Sequence, residues 1–227
     1  MDSQRPKVKS SHTRPPYWLL GILLFTTTVF VLLACNVHSG NTIFFDGTLA
    51  RAVRLAISPT FTPLMRVLTH AGDKAVVALF TVCIAIVLYV RHRRSNLFLL
   101  ISIVGGSAAI NMFLKLLFQR VRPDTTFALI VEDGFSFPSG HAMASAAFVA
   151  ALIVLFRYSK WRLPISLALL GYMLMVGFSR VYLGVHYPSD VIAGFCASIA
   201  WAVFIFIVAE HSTFLEKLKS KLPFKSK

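Results

Sequence analysis

The chain has 227 residues, of which 56% are hydrophobic and 14% charged, and its mean hydropathy is +0.71. Soluble domains run roughly 45–50% apolar and about 25% charged, so these proportions exclude a soluble enzyme and, equally, an intrinsically disordered chain. A net charge of +14 fits nucleic-acid binding only as a basic face on a soluble body. Here Lys and Arg stand in short clusters between apolar runs, the pattern of a polytopic membrane protein with basic loops.

In chain order, a basic tail (1–16, with Arg5, Lys7, Lys9 and Arg14) precedes a first apolar run, Tyr17–Val37. Within it Leu32-Leu33-Ala34-Cys35 loosely resembles a lipoprotein cleavage box. The run is longer than the roughly 7–15 apolar residues of a signal peptide, so it reads as a span. In the segment His38–Lys74, Leu49, Val53, Ala56 and Ile57 recur at helical spacing, as do Phe61, Leu64, Met65 and Leu68. Arg51, Arg54 and Arg66 fall between them, and Pro59 and Pro63 break the run. This predicts one or two amphipathic helices in the outer interface, serving either as a cap over the bundle or in lipid entry.

The remaining runs are Ala75–Val90, Leu97–Phe118, His141–Phe156, Leu163–Tyr182 and Val191–Ala209, followed by a basic tail, 212–227. A helix needs about 20 apolar residues to cross the hydrocarbon core, so the second and fourth runs must recruit flanking residues. Gly105, Gly106 and Ser107 in the third run read as close-packing positions. Basic clusters precede the first span and follow the second (Arg91, Arg93, Arg94), the fourth (Arg157, Lys160, Arg162) and the sixth (Lys217, Lys219, Lys221, Lys225, Lys227). They hold most of the 23 Lys and Arg, which places both termini in the cytoplasm. The predicted fold is all-α, a six-transmembrane-helix bundle with an amphipathic outer-side segment between the first and second spans, forming a single membrane-embedded domain over 1–227. Cys35, Cys83 and Cys196 all fall in apolar runs. Their odd number and wide spacing argue against disulfides or a thiolate metal site and read as buried small hydrophobes.

Polar groups at membrane depth mark function, and they collect in three places: Lys115, Arg120 and Arg122 before Pro123; Ser139, Gly140 and His141; and Arg180, His186 and Asp190. With the N-terminus inside, all three fall on the outer face, an outcome the count of basic residues did not impose. Lys115 and Arg122 are two helical turns apart to within about 20°, so both can face one cavity, and Pro123 disfavours helix at Arg122. Ser139 stands where a helix N-cap is expected, which would aim free N–H groups at an anion. His186 and Asp190 are four apart, so the carboxylate can hold one imidazole nitrogen if a helix includes both, with Pro188 in its first turn.

Three cations and a helix N-terminus suit a bound phosphate. One carboxylate-oriented histidine can act as nucleophile, and the other can protonate the leaving group. The same residues, His141, His186 and Asp190, could form a two-His, one-carboxylate metal site, but the surrounding cations would repel a divalent ion. Asp124, Glu132 and Asp133 read as solvated loop charges without a special role.

Together, Lys115-(six residues)-Arg122-Pro123, Pro138-Ser139-Gly140-His141 and Ser179-Arg180-(five residues)-His186-(three residues)-Asp190 are similar to the tripartite signature of the type 2 phosphatidic acid phosphatase superfamily, and the chain looks most like its compact bacterial phosphatidylglycerophosphatase B type. The resemblance spans 115–190 and implies a metal- and cofactor-independent lipid phosphate phosphatase of the bacterial cytoplasmic membrane. It implies that His186 is the nucleophile, oriented by Asp190, and His141 the general acid and then base. Lys115, Arg122, Arg180, Ser139 and Gly140 would bind phosphate. Arg120 and Asn111 lie outside the signature, Arg120 as a candidate headgroup contact and Asn111 as an interhelical hydrogen bond.

The implied substrates are phosphatidylglycerol phosphate and phosphatidic acid at the outer leaflet. The alternative is undecaprenyl pyrophosphate, hydrolysed to recycle the cell-wall carrier lipid. A lipid phosphotransferase, which only the acceptor would separate from a hydrolase, ranks below both, as does a non-catalytic anion or lipid carrier, for which no inverted repeat of the transporter kind is evident. Membrane lipids and the lipid substrate are the expected partners, with no nucleic acid and no obligate protein partner.

Overall fold

The computed structural model describes residues 17–40, 43–123 and 128–219, with side chains described as far as residue 211. The basic tails therefore lie outside the described residues, apart from the helical backbone of 212–219. All regular structure among the described residues is helical: α1 (Tyr17–His38), α2 (Phe44–Leu55), α3 (Phe61–Ala71), α4 (Lys74–Val90), α5 (Arg94–Phe118), α6 (Gly140–Leu155), α7 (Arg162–Tyr182) and α8 (Pro188–Lys219). α1, α5, α7 and α8 are long and apolar enough to cross a membrane, and α4 reaches that length together with α3, against which it is bent by 46°. α6 is apolar but has only 16 residues.

α6 is the axis of the bundle, packed against α4, α5, α7 and α8. Its sequence explains this position. Gly140, Ala142, Ala146, Ala147 and Ala151 are buried along it, and small side chains let neighbouring backbones approach. The neighbours use the same device. A Cβ on Gly194 of α8 would lie 3.0 Å from the Ala142 Cβ and from the Ser139 carbonyl oxygen, and one on Gly177 of α7 would lie 2.4 Å from the Phe195 ring. Ser107 and Ser198 share a hydrogen bond at 2.7 Å, and the Ser198 hydroxyl also donates to the Met143 carbonyl at 2.9 Å. Such interhelical bonds are worth about 0.6 kcal/mol on average, so close packing carries more of the association.

Between α1 and α4, the segment read as amphipathic forms α2 and α3. Met65 is buried with Tyr182, Leu183 and Val185, and Val53, Ile57 and Leu68 pack against them. The Tyr182 hydroxyl accepts from the Ser58 N–H at 2.9 Å, and the Tyr172 hydroxyl donates to the Ala71 carbonyl at 2.8 Å. α2 and α3 are thus tied to α7.

Two expectations are corrected. Cys35 and Cys83 are exposed on the isolated chain, and Cys196 alone is buried; the first two lie on outward faces of apolar helices, where lipid rather than protein would cover them. α5 ends at Phe118, and Gln119 takes a left-handed conformation (φ 45°) with its N–H on the Lys115 carbonyl at 3.0 Å. Lys115 and Arg122 therefore do not share one continuous helical face. The left-handed turn ends the helix before the constraint of Pro123 is felt.

Gly106 gives a test of the packing. A Cβ there would lie 2.4 Å from Trp201 Nε1, the donor of a 2.9 Å hydrogen bond to the Ser102 carbonyl, whereas one on Gly105 would meet nothing within 4 Å. Gly106→Ala should destabilise the detergent-solubilised protein by about 1–3 kcal/mol, the usual cost of overpacking. Gly105→Ala should leave the thermal midpoint unchanged in the same tryptophan-fluorescence melt.

Candidate active site

The end of α5, the loop 128–139, the start of α6, the end of α7 and the start of α8 converge at one end of the bundle. Lys115, in the last turn of α5, donates to the Phe135 carbonyl. Arg122 arrives on non-helical chain: Nε donates to the Gly134 carbonyl, Nη2 to Asp133 and Nη1 to Val185, each at 2.9 Å, and Nη1 lies 3.3 Å from His186 Nε2. Ser139 is the N-cap of α6 with extended backbone, its hydroxyl accepting from the Ala142 N–H at 3.5 Å. Its own N–H donates to the Asp190 carbonyl at 3.0 Å, linking the starts of α6 and α8. Gly140 is closely approached: a Cβ there would lie 2.7 Å from Cε of the Lys74 side chain, which would have to move. Asn111 Nδ2 donates to the Pro138 carbonyl, in the loop before α6, and to Met143 Sδ of α6, each at 3.2 Å, the second being the expected interhelical bond.

His186 and Asp190 meet, although α8 begins at Pro188 and takes in only the aspartate. His186 Nδ1 lies 3.5 Å from Asp190 Oδ2, so a proton on Nδ1 would face the carboxylate and the Nε2 lone pair would face Arg122. Asp190 has no exposure, and its Oδ2 also accepts from the Ser136 hydroxyl and, at 2.9 Å, from the Tyr187 N–H. Burial pushes the His186 pKa down to about 3, against the opposing pull of Asp190 and with help from Arg180 and Arg122. The imidazole is therefore neutral at physiological pH.

Arg180 is 1% exposed and donates through Nη1 to the Thr69 hydroxyl at 2.5 Å. Among the described residues, the buried Nε of Arg180 and Nδ1 of His141 have no hydrogen-bond partner. What lies nearest them is Glu132, whose carboxylate pairs with Arg180 Nη2 and lies 3.7 Å from Arg122 and 3.8 Å from His141 Nδ1. The expectation that Glu132 is a solvated loop charge is overturned, since its side chain is 24% exposed and occupies the cation cluster. Arg180, Arg122 and His141, from separate elements, thus surround one carboxylate.

Arg120 is also corrected. It is not free to meet a headgroup: Nη1 donates to Asp190 Oδ1 at 2.6 Å and to the Ser189 hydroxyl at 2.8 Å, Nη2 to Asp46 Oδ2 at 2.8 Å, and the guanidinium lies 4.1 Å over the Tyr187 ring. Burial opposes its charge, but Asp190 and Asp46 hold its pKa above the usual value. The sequence reading also missed Asp46, Ser136, Thr69 and Lys74, which belong to no motif. The one signal was that Asp46 and Asp73 are the only acids in the otherwise basic segment 38–74. Among the described residues, no group of three or more His, Cys, Asp or Glu is placed to hold a metal ion.

Residues 96–214 match the family model of the PAP2 superfamily. The chain is 30% identical over 199 residues to phosphatidylglycerophosphatase B of Bacillus subtilis, covering 85% of this chain and 95% of that one. It is 27% identical over 211 residues to an undecaprenyl-diphosphatase of Sulfolobus acidocaldarius, covering 91% and 97%. Its fold is similar to the crystal structure of a transmembrane PAP2-type phosphatidylglycerolphosphate phosphatase from Bacillus subtilis, with a TM-score of 0.70 at 28% identity, over 92% of this chain and 100% of that one. The chain belongs to the PAP2 superfamily. It is a multi-pass membrane phosphatase, and the signature expected at residues 115–190 lies within the matched region.

Because the Glu132 carboxylate occupies the cation cluster, removing its charge should favour anions. Glu132→Gln is expected to lower the inhibition constant of inorganic phosphate severalfold, measured by competition against a lipid phosphate substrate.

Proposed function

We propose that the protein hydrolyses lipid phosphates at the outer leaflet through a phosphohistidine on His186, without a metal. The observation that carries this reading is the His186 imidazole, held by Asp190 at Nδ1 and presenting Nε2 beside Arg122, next to unpartnered nitrogens of Arg180 and His141. Nε2 attacks phosphorus as the bond to the lipid oxygen breaks, and His141 gives that oxygen its proton. His141 then takes a proton from water, whose oxygen displaces His186 and releases phosphate. Lys115, Arg122 and Arg180, with Ser139 and the Gly140 N–H, hold the nonbridging oxygens as charge redistributes. These cations supply the positive charge that a metal would otherwise bring.

The architecture proposed with it has six crossings, α4 and α6 completing theirs with flanking residues, both termini in the cytoplasm and the site facing outward. The bacterial cytoplasmic membrane is the proposed location. The favoured substrates are phosphatidylglycerol phosphate and phosphatidic acid, supported by the coverage of the Bacillus relative. The second reading is undecaprenyl pyrophosphate, favoured by the similarity to the Sulfolobus enzyme over nearly the whole chain.

The test is phosphate release by detergent-purified protein in EDTA from those three lipids. Selective release by wild type, lost in His186→Ala and reduced by on the order of 100-fold or more in His141→Ala, is the expected result. Near-normal release by a folded His186→Ala protein, or loss of activity in EDTA restored by a divalent ion, would overturn the mechanism. The low pKa of His186 adds a pH prediction. The nucleophile stays neutral across roughly pH 5–8, so no ionisation of His186 contributes to kcat/KM there. Any limb in that range should move with the second ionisation of the substrate phosphate or disappear in His141→Gln.

A further inference from the structure

Asp46 lies on α2, outside the signature, yet it is 2% exposed and its carboxylate is bound by Ser189 at the start of α8 and by Arg120 after α5. Its Oδ1 accepts from the Ser189 N–H at 2.9 Å, and its Oδ2 accepts from the Ser189 hydroxyl at 2.6 Å and from Arg120 Nη2 at 2.8 Å. The other arm of Arg120 grips Asp190 Oδ1 at 2.6 Å. One guanidinium thus bridges two buried carboxylates, and one of these is the partner of His186.

We propose that Asp46 and Arg120 are positioning residues for the His186–Asp190 pair, with Asp46 setting how much of the Asp190 charge remains available to the histidine. This rests on the reading of His186 as nucleophile. The chemistry follows from counting charges. Asp46, Arg120 and Asp190 together carry one net negative charge beside a neutral imidazole. When Nε2 of His186 takes the phosphoryl group, the ring keeps its Nδ1 proton and becomes more positive, and the net negative charge stabilises it. An Arg120 paired with Asp190 alone would cancel that charge. Asp46 draws off half of the guanidinium and restores it. Arg120 in turn prevents the two carboxylates from sharing a proton, as close acidic pairs otherwise do. The planar fork suits this bridging, which a point-charge ammonium reproduces only in part.

The singles and the double variant separate charge tuning from simple scaffolding. Asp46→Asn removes the net charge that stabilises the phosphorylated ring, and Arg120→Gln doubles it and holds that intermediate too firmly, so each should lower kcat by on the order of 10–100-fold while KM changes by about twofold or less. In Arg120→Gln the acid limb of kcat should move to higher pH, since two carboxylates without their counter-charge take up a proton more readily. The double variant Asp46→Asn/Arg120→Gln again carries one net negative charge and should turn over faster than either single.

Arg120→Lys should retain more activity than Arg120→Gln, and it keeps the test open if Asp46→Asn does not fold. Thermal midpoints in detergent accompany each rate. A folded pair of single variants with wild-type kcat would overturn the proposal. So would a double variant no better than the worse single, or an Arg120→Lys protein as slow as Arg120→Gln. His186→Ala is run alongside. If wild type shows no His186-dependent turnover, both readings fall. If it does while the charge pattern is missing, only this one does.

Discussion

The structure depends on one buried carboxylate. Asp190 is closed off from solvent, and a charge in such a place is tolerated only when hydrogen bonds and counter-charges replace the water it has lost. Each of its partners comes from a different stretch of chain. Arg120 follows α5, Ser136 sits in the loop before α6, Tyr187 and His186 precede α8, and the Asp190 backbone carbonyl receives the Ser139 N–H. Satisfying this one group therefore brings together the ends of α5, α6, α7 and α8. The same contacts that make its burial tolerable assemble the end of the bundle that holds the candidate site.

The rest of the pocket has the opposite sign. Lys115, Arg122 and Arg180 approach one another closely enough to repel, and the chain accepts this by satisfying them with carbonyls of residues 133–135, with Thr69 and with Glu132. The negative Asp46–Arg120–Asp190 unit lies behind His186 and the cations in front, so the imidazole is placed across a steep electrostatic gradient. On the proposed reading of His186 as nucleophile, that arrangement would polarise the imidazole toward an incoming anion without charging it, since burial pulls the His186 pKa down.

The long apolar helices and the signature residues were legible because each depends on local pattern: length of apolar run, small-residue spacing, a Ser before a helix, a Pro in its first turn. Ser139 and Pro188 take the capping and first-turn positions the sequence suggested. Legibility failed where geometry is set by contacts distant in sequence. Nothing near Asp46 says that it meets Arg120, 74 residues later, and Arg120 looked free because its partners come from α2 and α8. Glu132 looked solvated because acidic loop residues generally are, and only the folded loop carries it into the cations. The stop of α5 at Phe118 was hidden because Gln119 adopts a left-handed conformation that is unusual for its type.

In the proposed architecture α6 also sets how far a substrate would travel. A 16-residue helix rises about 24 Å, roughly 6 Å short of the hydrocarbon thickness, and Ser139, Gly140 and His141 stand at its first turn. With the crossing completed by the residues that precede this turn, the proposed phosphate site would lie beneath the plane of the surrounding headgroups. A lipid would then sink its phosphate by a few ångströms while its tails stay among their neighbours, and the energy of extracting a whole lipid would not be required.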